Sequence, residues 1–174
     1  MARQAIRNEG AGAEARFLEL VPGATPSDNP KRGDVIVPVD GDDHYVEIKE
    51  CRSDGGTINQ VRAIKYICCV IWAPERGGWF VISPDQLVAI AANKDRGQHS
   101  EIPFECMNFS LNSLPGDLHS ICDDAGLAER VTTAIRRGEQ NGDIKRQMVK
   151  LHEQLRHLVA TYRDAIRALL VGSQ

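Results

Sequence analysis

Apolar and polar positions divide the chain into segments of different period. Ile6, Ala13, Phe17 and Leu20 recur at spacings that share one helical face, so an opening helix is predicted from Ala2 to about Leu20, firmest from Ala11 onward. The stretch VPGATPSDNPKRG carries three prolines and two glycines and reads as a loop, with room for a short strand at residues 20–24. DVIVPV is rich in β-branched residues, and HYVEIKE alternates apolar with polar. The turn residues DGDD between them predict an antiparallel hairpin.

Past the loop CRSDGGT, where Thr57 is a candidate cap, INQVRAIKY reads as a helix with Ile58, Val61, Ile64 and Lys65 in register. YICCVIWAP is continuously apolar, as a strand buried on both faces would be, and WFVISP supplies another strand after the turn ERGG. PDQLVAIAANK predicts a helix with proline in its first turn. EIPFECMNFSL holds one or two short strands, and DLHSICDDAGLAERVTTAIRR is helical with a glycine interruption. Beyond the boundary GEQNG, Ile144, Met148, Leu151, Leu155, Leu158, Tyr162, Ile166 and Leu169 follow one another in steps of three and four, close to heptad spacing. A long amphipathic helix is predicted there, for packing or for pairing with a second subunit. The fold class that results is α/β: a mixed central sheet flanked by helices, with residues 1–115 as the core and residues 116–174 as a C-terminal helical region.

At 174 residues the chain has length for one domain with a core and an appended element. No run approaches the roughly 18 to 20 apolar residues of a membrane span, and MARQAIRNEG lacks the apolar stretch of a secretory signal, so a cytoplasmic protein is expected. The formal charge of −3 hides an asymmetry. Residues 1–135 carry 13 Lys and Arg against 20 Asp and Glu, whereas residues 136–174 carry 8 against 4. A carboxylate site plus a phosphate-facing helix would produce that distribution, and so would a solvated amphipathic helix. The five cysteines include an odd one and form no C-x-x-C pair, which argues for buried free thiols rather than disulfides or zinc.

The candidate chemistry lies in the hairpin. Strand geometry sends Glu47 and Lys49 to the same face, with Ile48 pointing into the core, and Asp34 lies across the hairpin if the turn falls near Gly41 and Asp42. Asp34, Glu47, the Ile48 carbonyl and waters would satisfy the octahedral demand of Mg²⁺, for which Mn²⁺ can substitute. The metal would polarise a scissile phosphate and acidify the attacking water. Lys49 would orient that water or help remove its proton, and would offset the growing negative charge. Glu-x-Lys alone is common; Asp143-Ile144-Lys145 in the last helix is similar and is assigned no role.

In context, Asp34 in KRGDVIVPV and Glu47 and Lys49 in YVEIKECR, followed by TINQVRAIKY and ICCVIWAP, resemble the PD-(D/E)XK nuclease superfamily, most closely its restriction-endonuclease-like members. The resemblance spans roughly residues 10–90. It implies a Mg²⁺-dependent DNA endonuclease with Asp34, Glu47 and Lys49 as catalytic centre and an acidic residue on the first helix, for which Glu14 is the candidate and Glu19 the second. Gly33 stands where the name-giving motif has proline. Gln60 and Tyr66 are six apart rather than four, so the Gln-x-x-x-Tyr motif of the exonuclease-type branch does not carry over.

Asn59, Gln60 and Arg62, at the start of the predicted helix, are candidate DNA contacts, as are Lys94, Arg96, Gln98 and His99 in the loop NKDRGQHS. Caps and a solvated loop are the bland alternatives. Trp72 and Trp79 read as packing residues. The leading expectation is a homodimeric restriction-type enzyme acting on duplex DNA. The alternatives are a structure-selective nuclease of the same fold, such as a junction resolvase or repair nicking enzyme, and a non-enzymatic helical oligomerisation module in which Glu47 and Lys49 form only an ion pair.

Overall fold

A two-residue turn fixes the register of the first hairpin. Asp40 and Gly41 both take positive φ, 53° and 95°, the backbone that matches the twist of paired strands. The computed structural model describes residues 11–52, 56–116 and 121–171. In it β2 (Val35–Val39) pairs antiparallel with β3 (Asp42–Glu50), from Val39 opposite Asp42 to Val35 opposite Val46. A two-residue strand β1 (Thr25–Pro26) lines the outer edge of β2, just beyond the predicted position. β5 (Cys68–Ala73) runs parallel to β3, and β6 (Gly78–Ile82) antiparallel to β5. The five-stranded mixed sheet has the order β1-β2-β3-β5-β6.

The parallel pair requires a crossover, and here the sequence expectation fails. Residues 57–66 do not form a helix: Thr57–Val61 is strand β4, followed by a 3₁₀ turn at Ala63–Lys65. Ile58 and Val61, three apart, suit one helical face, but they equally suit a strand with a bulge between them, which is what occurs. Gln60 has a left-handed backbone, φ 56°, which no helix interior accepts. The partner of β4 is the distant β7 (Met107–Ser110), and the two make a separate antiparallel sheet.

Two apolar layers flank the main sheet. On one side Val46, Ile48, Cys68, Val70 and Trp79 pack with Ala13 and Phe17 of α1 (Ala11–Leu20) and with Leu127, Val131 and Ile135 of α3 (Leu127–Gln140). On the other, Cys69, Ile71, Phe80 and Ile82 pack with Leu87 and Ile90 of α2 (Pro84–Ala92) and with the β4–β7 sheet. The all-apolar β5 is thus buried on both faces as its composition predicts, and Cys68 and Cys69 point to opposite layers. All five cysteines are thiols rather than disulfides.

Helix α3 starts later than its pattern suggests. Residues 117–120 of the predicted helix, like residues 2–10 of the opening one and 53–55 of the loop, lie outside the described residues. Cys122 is non-helical because its backbone pairs with that of Trp79, N to O at 3.0 and 2.8 Å. Gly78 permits this approach: a Cβ there would stand 2.4 Å from the Cys122 carbonyl. Trp79 is fully buried, with its indole N–H donating to Asp124 at 2.9 Å, and its ring packs at a 41° tilt against Trp72, centroids 4.7 Å apart.

The chain divides into two compact units after Asn141. The second contains α4 (Gly142–Val171), which exposes Leu151, Leu155, Leu158, Tyr162 and Ile166; the side chain of Leu169 lies outside the described residues. Among the described residues no helix is long and apolar enough to cross a membrane.

Candidate active site

The alternation along β3 puts Glu47 and Lys49 on the α2 side of the sheet while Val46 and Ile48 enter the opposite core. Their register partners Cys69 and Ile71 lie on that same side. Glu47 is only 4% exposed, an unusual position for a carboxylate without ion partners. It has two. Lys49 Nζ lies 2.6 Å from Glu47 Oε1, and Lys65 Nζ lies 3.0 Å from Oε2.

Asp34 closes the ladder just before β2. Its amide donates to the Val46 carbonyl at 2.9 Å, and its side-chain Oδ2 accepts from the Ile48 amide at 2.8 Å. The carboxylate therefore takes over the edge of β3 where strand pairing with β2 stops. Gly33 makes that possible: a Cβ at this position would stand 3.0 Å from both the Val46 carbonyl oxygen and Tyr45 Cβ, so a side chain would push the Asp34 segment off β3. Gly33→Ala should then cost about 1–3 kcal/mol of stability, the usual range for overpacking, and should lower any Asp34-dependent activity. Denaturant titration of both proteins checks it, with an unchanged midpoint as the contrary result.

Glu14 reaches the same place from α1. Burial raises its pKa, and the neighbouring Asp34 raises it further, with smaller influences from Lys49 and Glu47. Burial likewise raises Asp34, followed by the charge of Glu47, against the lowering effect of the Ile48 amide. Glu47 behaves differently. Burial opposes its charge, but Lys49 and Lys65 outweigh that and hold it below the usual carboxylate range. For Lys49, too, burial opposes the charge and contact with Glu47 overcomes it, so the pKa rises and the ammonium form is fixed at neutral pH. The buried Cys69 thiol behind this group is pushed up to about 12, by burial and then by Glu47. Glu19, the second candidate on α1, is exposed.

The structure thus brings Glu14, Asp34, Glu47 and Lys49 to one place and adds Lys65, which the sequence reading left as a helix position. No local signal marks Lys65. It arrives through the crossover from β4 to β5, a non-local consequence of the fold.

The DNA-contact candidates form two groups. Asn59, Gln60 and Arg62 are exposed. They do not start a helix, so the proposed helix amino terminus for a phosphate does not exist, because this segment is a bulged strand. Gln98 joins Asn59 and Gln60: its side-chain amide donates to Asn59 Oδ1 at 3.1 Å and its side-chain oxygen accepts from the Gln60 backbone N–H at 2.8 Å. Lys94 instead lines a cleft of about 550 Å³ with Asp85, Phe109, Leu114 and Arg137, while Arg96 and His99 are exposed. Gln60 and Lys65 are five positions apart, so their Cα atoms lie within about 18 Å.

Among the described residues no group of three or more His, Cys, Asp or Glu side chains forms a ready cation cage. The donor set here is different in kind: Asp34 and Glu47 as neighbouring oxygen donors beside Glu14. Mg²⁺ is commonly held by one or two carboxylates with water and substrate phosphate completing its shell, so this set fits Mg²⁺ and not a structural zinc. Comparison of the chain with protein-family models, with curated proteins and with solved structures gives no match.

Proposed function

We propose that the protein is a cytoplasmic, Mg²⁺-dependent DNA endonuclease of the PD-(D/E)XK type, hydrolysing phosphodiester bonds at the centre formed by Asp34, Glu47 and Lys49. The observation that carries this reading is the hydrogen bond from the Ile48 amide to Asp34, which docks one carboxylate on the strand that presents the other. Asp34 and Glu47 would hold the cation, with Glu14 beside it; Mg²⁺ supplies Lewis acidity and a more acidic water when bound. Lys49, held as an ammonium by Glu47, acts as a hydrogen-bond donor and counter-charge to the phosphorane-like negative charge rather than as a base. Asn59, Gln60 and Gln98 offer amide groups to base edges, and Arg62, Lys94, Arg96 and His99 supply phosphate contacts. The heptad seam of α4, with Leu151, Leu158 and Tyr162 exposed, supports a homodimer with one centre for each strand.

A second reading, that Glu47 is only the hub of a structural ion pair, has support in the engagement of both its oxygens by lysine. It gives no reason for Asp34 and Glu14 to be gathered beside Glu47 at the expense of their own ionisation. The choice between duplex and branched DNA is made by digesting supercoiled plasmid and a four-way junction side by side in Mg²⁺. Discrete plasmid fragments are the expected result. Cleavage of the junction alone identifies a structure-selective nuclease, and no cleavage of either removes the nuclease reading.

A further inference from the structure

Both Glu47 oxygens already engage lysines, so a cation held there competes with an ammonium for them. Glu47 Oε1 is 2.6 Å from Lys49 and its Oε2 is 3.0 Å from Lys65, so each oxygen already faces a positive charge. The Lys65 side chain is 14% exposed and that of Glu47 6%, so water screens the contact poorly. Lys49 belongs to the same strand as Glu47, two residues on, whereas Lys65 comes from the 3₁₀ turn that ends the crossover. The two lysines are therefore held by different elements. Around them Glu14, Asp34 and Glu47 with Lys49 and Lys65 leave a single net negative charge when all five are ionised, which is less than a divalent cation requires.

From this geometry we infer that Lys65 is a positioning residue that sets the cation affinity of the centre: its ammonium fixes Glu47 Oε2 and competes with a divalent cation for that oxygen. The inference rests on the metal-dependent reading above and adds a residue to it. A cation binding at Asp34 and Glu47 would leave the group with one net positive charge, and a phosphodiester, carrying one negative charge, would restore neutrality. Cation and DNA therefore bind cooperatively, through the attraction between their opposite charges. Lys49 remains on Oε1 when Lys65 is removed, so Glu47 does not become an unpaired buried charge.

The test is Mn²⁺ binding by isothermal calorimetry and by the electron paramagnetic resonance signal of free Mn²⁺, using the full chain without DNA. Lys65→Met should bind Mn²⁺ about tenfold more tightly than the unsubstituted protein, as loss of a nearby like charge implies. Lys65→Arg, which keeps the charge, should stay within about twofold of it. Adding a duplex oligonucleotide should tighten Mn²⁺ binding in the unsubstituted protein. A residue that only supported the fold would not make the variant bind more tightly. Equal or weaker binding by Lys65→Met, with binding still abolished by Asp34→Ala, overturns the role of Lys65 and leaves the metal centre standing. Mn²⁺ binding that is absent in every variant, or indifferent to Asp34→Ala, overturns both.

Discussion

Replacing Asp34 with asparagine should abolish Mg²⁺-dependent cleavage of DNA and, without metal, should raise the melting temperature. The two effects have one cause. Asp34 is partly buried beside Glu47 and Glu14, and both burial and the Glu47 charge raise its pKa. An acid whose pKa is higher in the folded than in the unfolded chain binds more protons when folded. Its contribution to stability is complete below the unfolded value, near 3.8, and is lost as pH rises through the folded value. At neutral pH the ionised Asp34 is thus a cost, which asparagine removes while its amide oxygen still accepts from Ile48. Because Asp34 is only partly buried, the gain is small, roughly 1–3 °C. Loss of a cation ligand worth several kcal/mol in the transition state should lower the cleavage rate by about 10³-fold. Melting curves from pH 4 to 8 should show the two proteins converging at the acidic end. A variant that melts lower than the parent at neutral pH would contradict the electrostatics assigned to this site.

Glu47→Gln should have the same effect on cleavage and the opposite effect on stability. Here the folded pKa is lowered: burial opposes ionisation, but Lys49 and Lys65 overcome it. The ionised group stabilises the fold above the unfolded value of about 4.5, and that contribution is lost as pH falls through the folded value. A glutamine keeps the shape but leaves two ammoniums with a neutral partner. Breaking a buried pair costs about 3–5 kcal/mol, and the partial exposure of the lysines reduces this to roughly 2–4. For a chain of this length that is a fall of about 4–16 °C. Thermal denaturation at pH 7.5 measures it directly. Two inactive variants whose melting temperatures move apart would distinguish the carboxylate that costs stability from the one that anchors an ion-pair network. Parallel shifts would mean that the two carboxylates have the same environment, against the geometry.

Which parts of this were legible in the sequence follows from how local their causes are. The Asp40-Gly41 turn and the alternation of HYVEIKE fix the hairpin register, and register alone sets Asp34 beside Ile48 and Glu47. β5 and α2 were equally readable, the first from an unbroken apolar run and the second from Pro84 in its first turn and the helical spacing of its apolar residues. Residues 57–66 misled because Ile58 and Val61 fit both a helix face and a bulged strand, and only pairing with β7, some 50 residues away, decides between them. The late start of α3 has the same kind of origin, in the pairing of Cys122 with Trp79. Lys65 was invisible for the same reason: its meeting with Glu47 is a product of the crossover, not of any spacing along the chain. Glu14 and Glu19 could not be separated by sequence. The structure separates them, since Glu14 is half-buried next to Asp34 and Glu19 faces solvent.

The proposed hydrolysis of DNA at this centre with a divalent cation is tested by the conversion of supercoiled plasmid by the purified protein in Mg²⁺, run beside the same protein in excess chelator. Nicked and linear product with Mg²⁺ and unchanged plasmid with chelator are the expected results. Plasmid left intact in both Mg²⁺ and Mn²⁺, or cut equally well in chelator, would contradict the proposal.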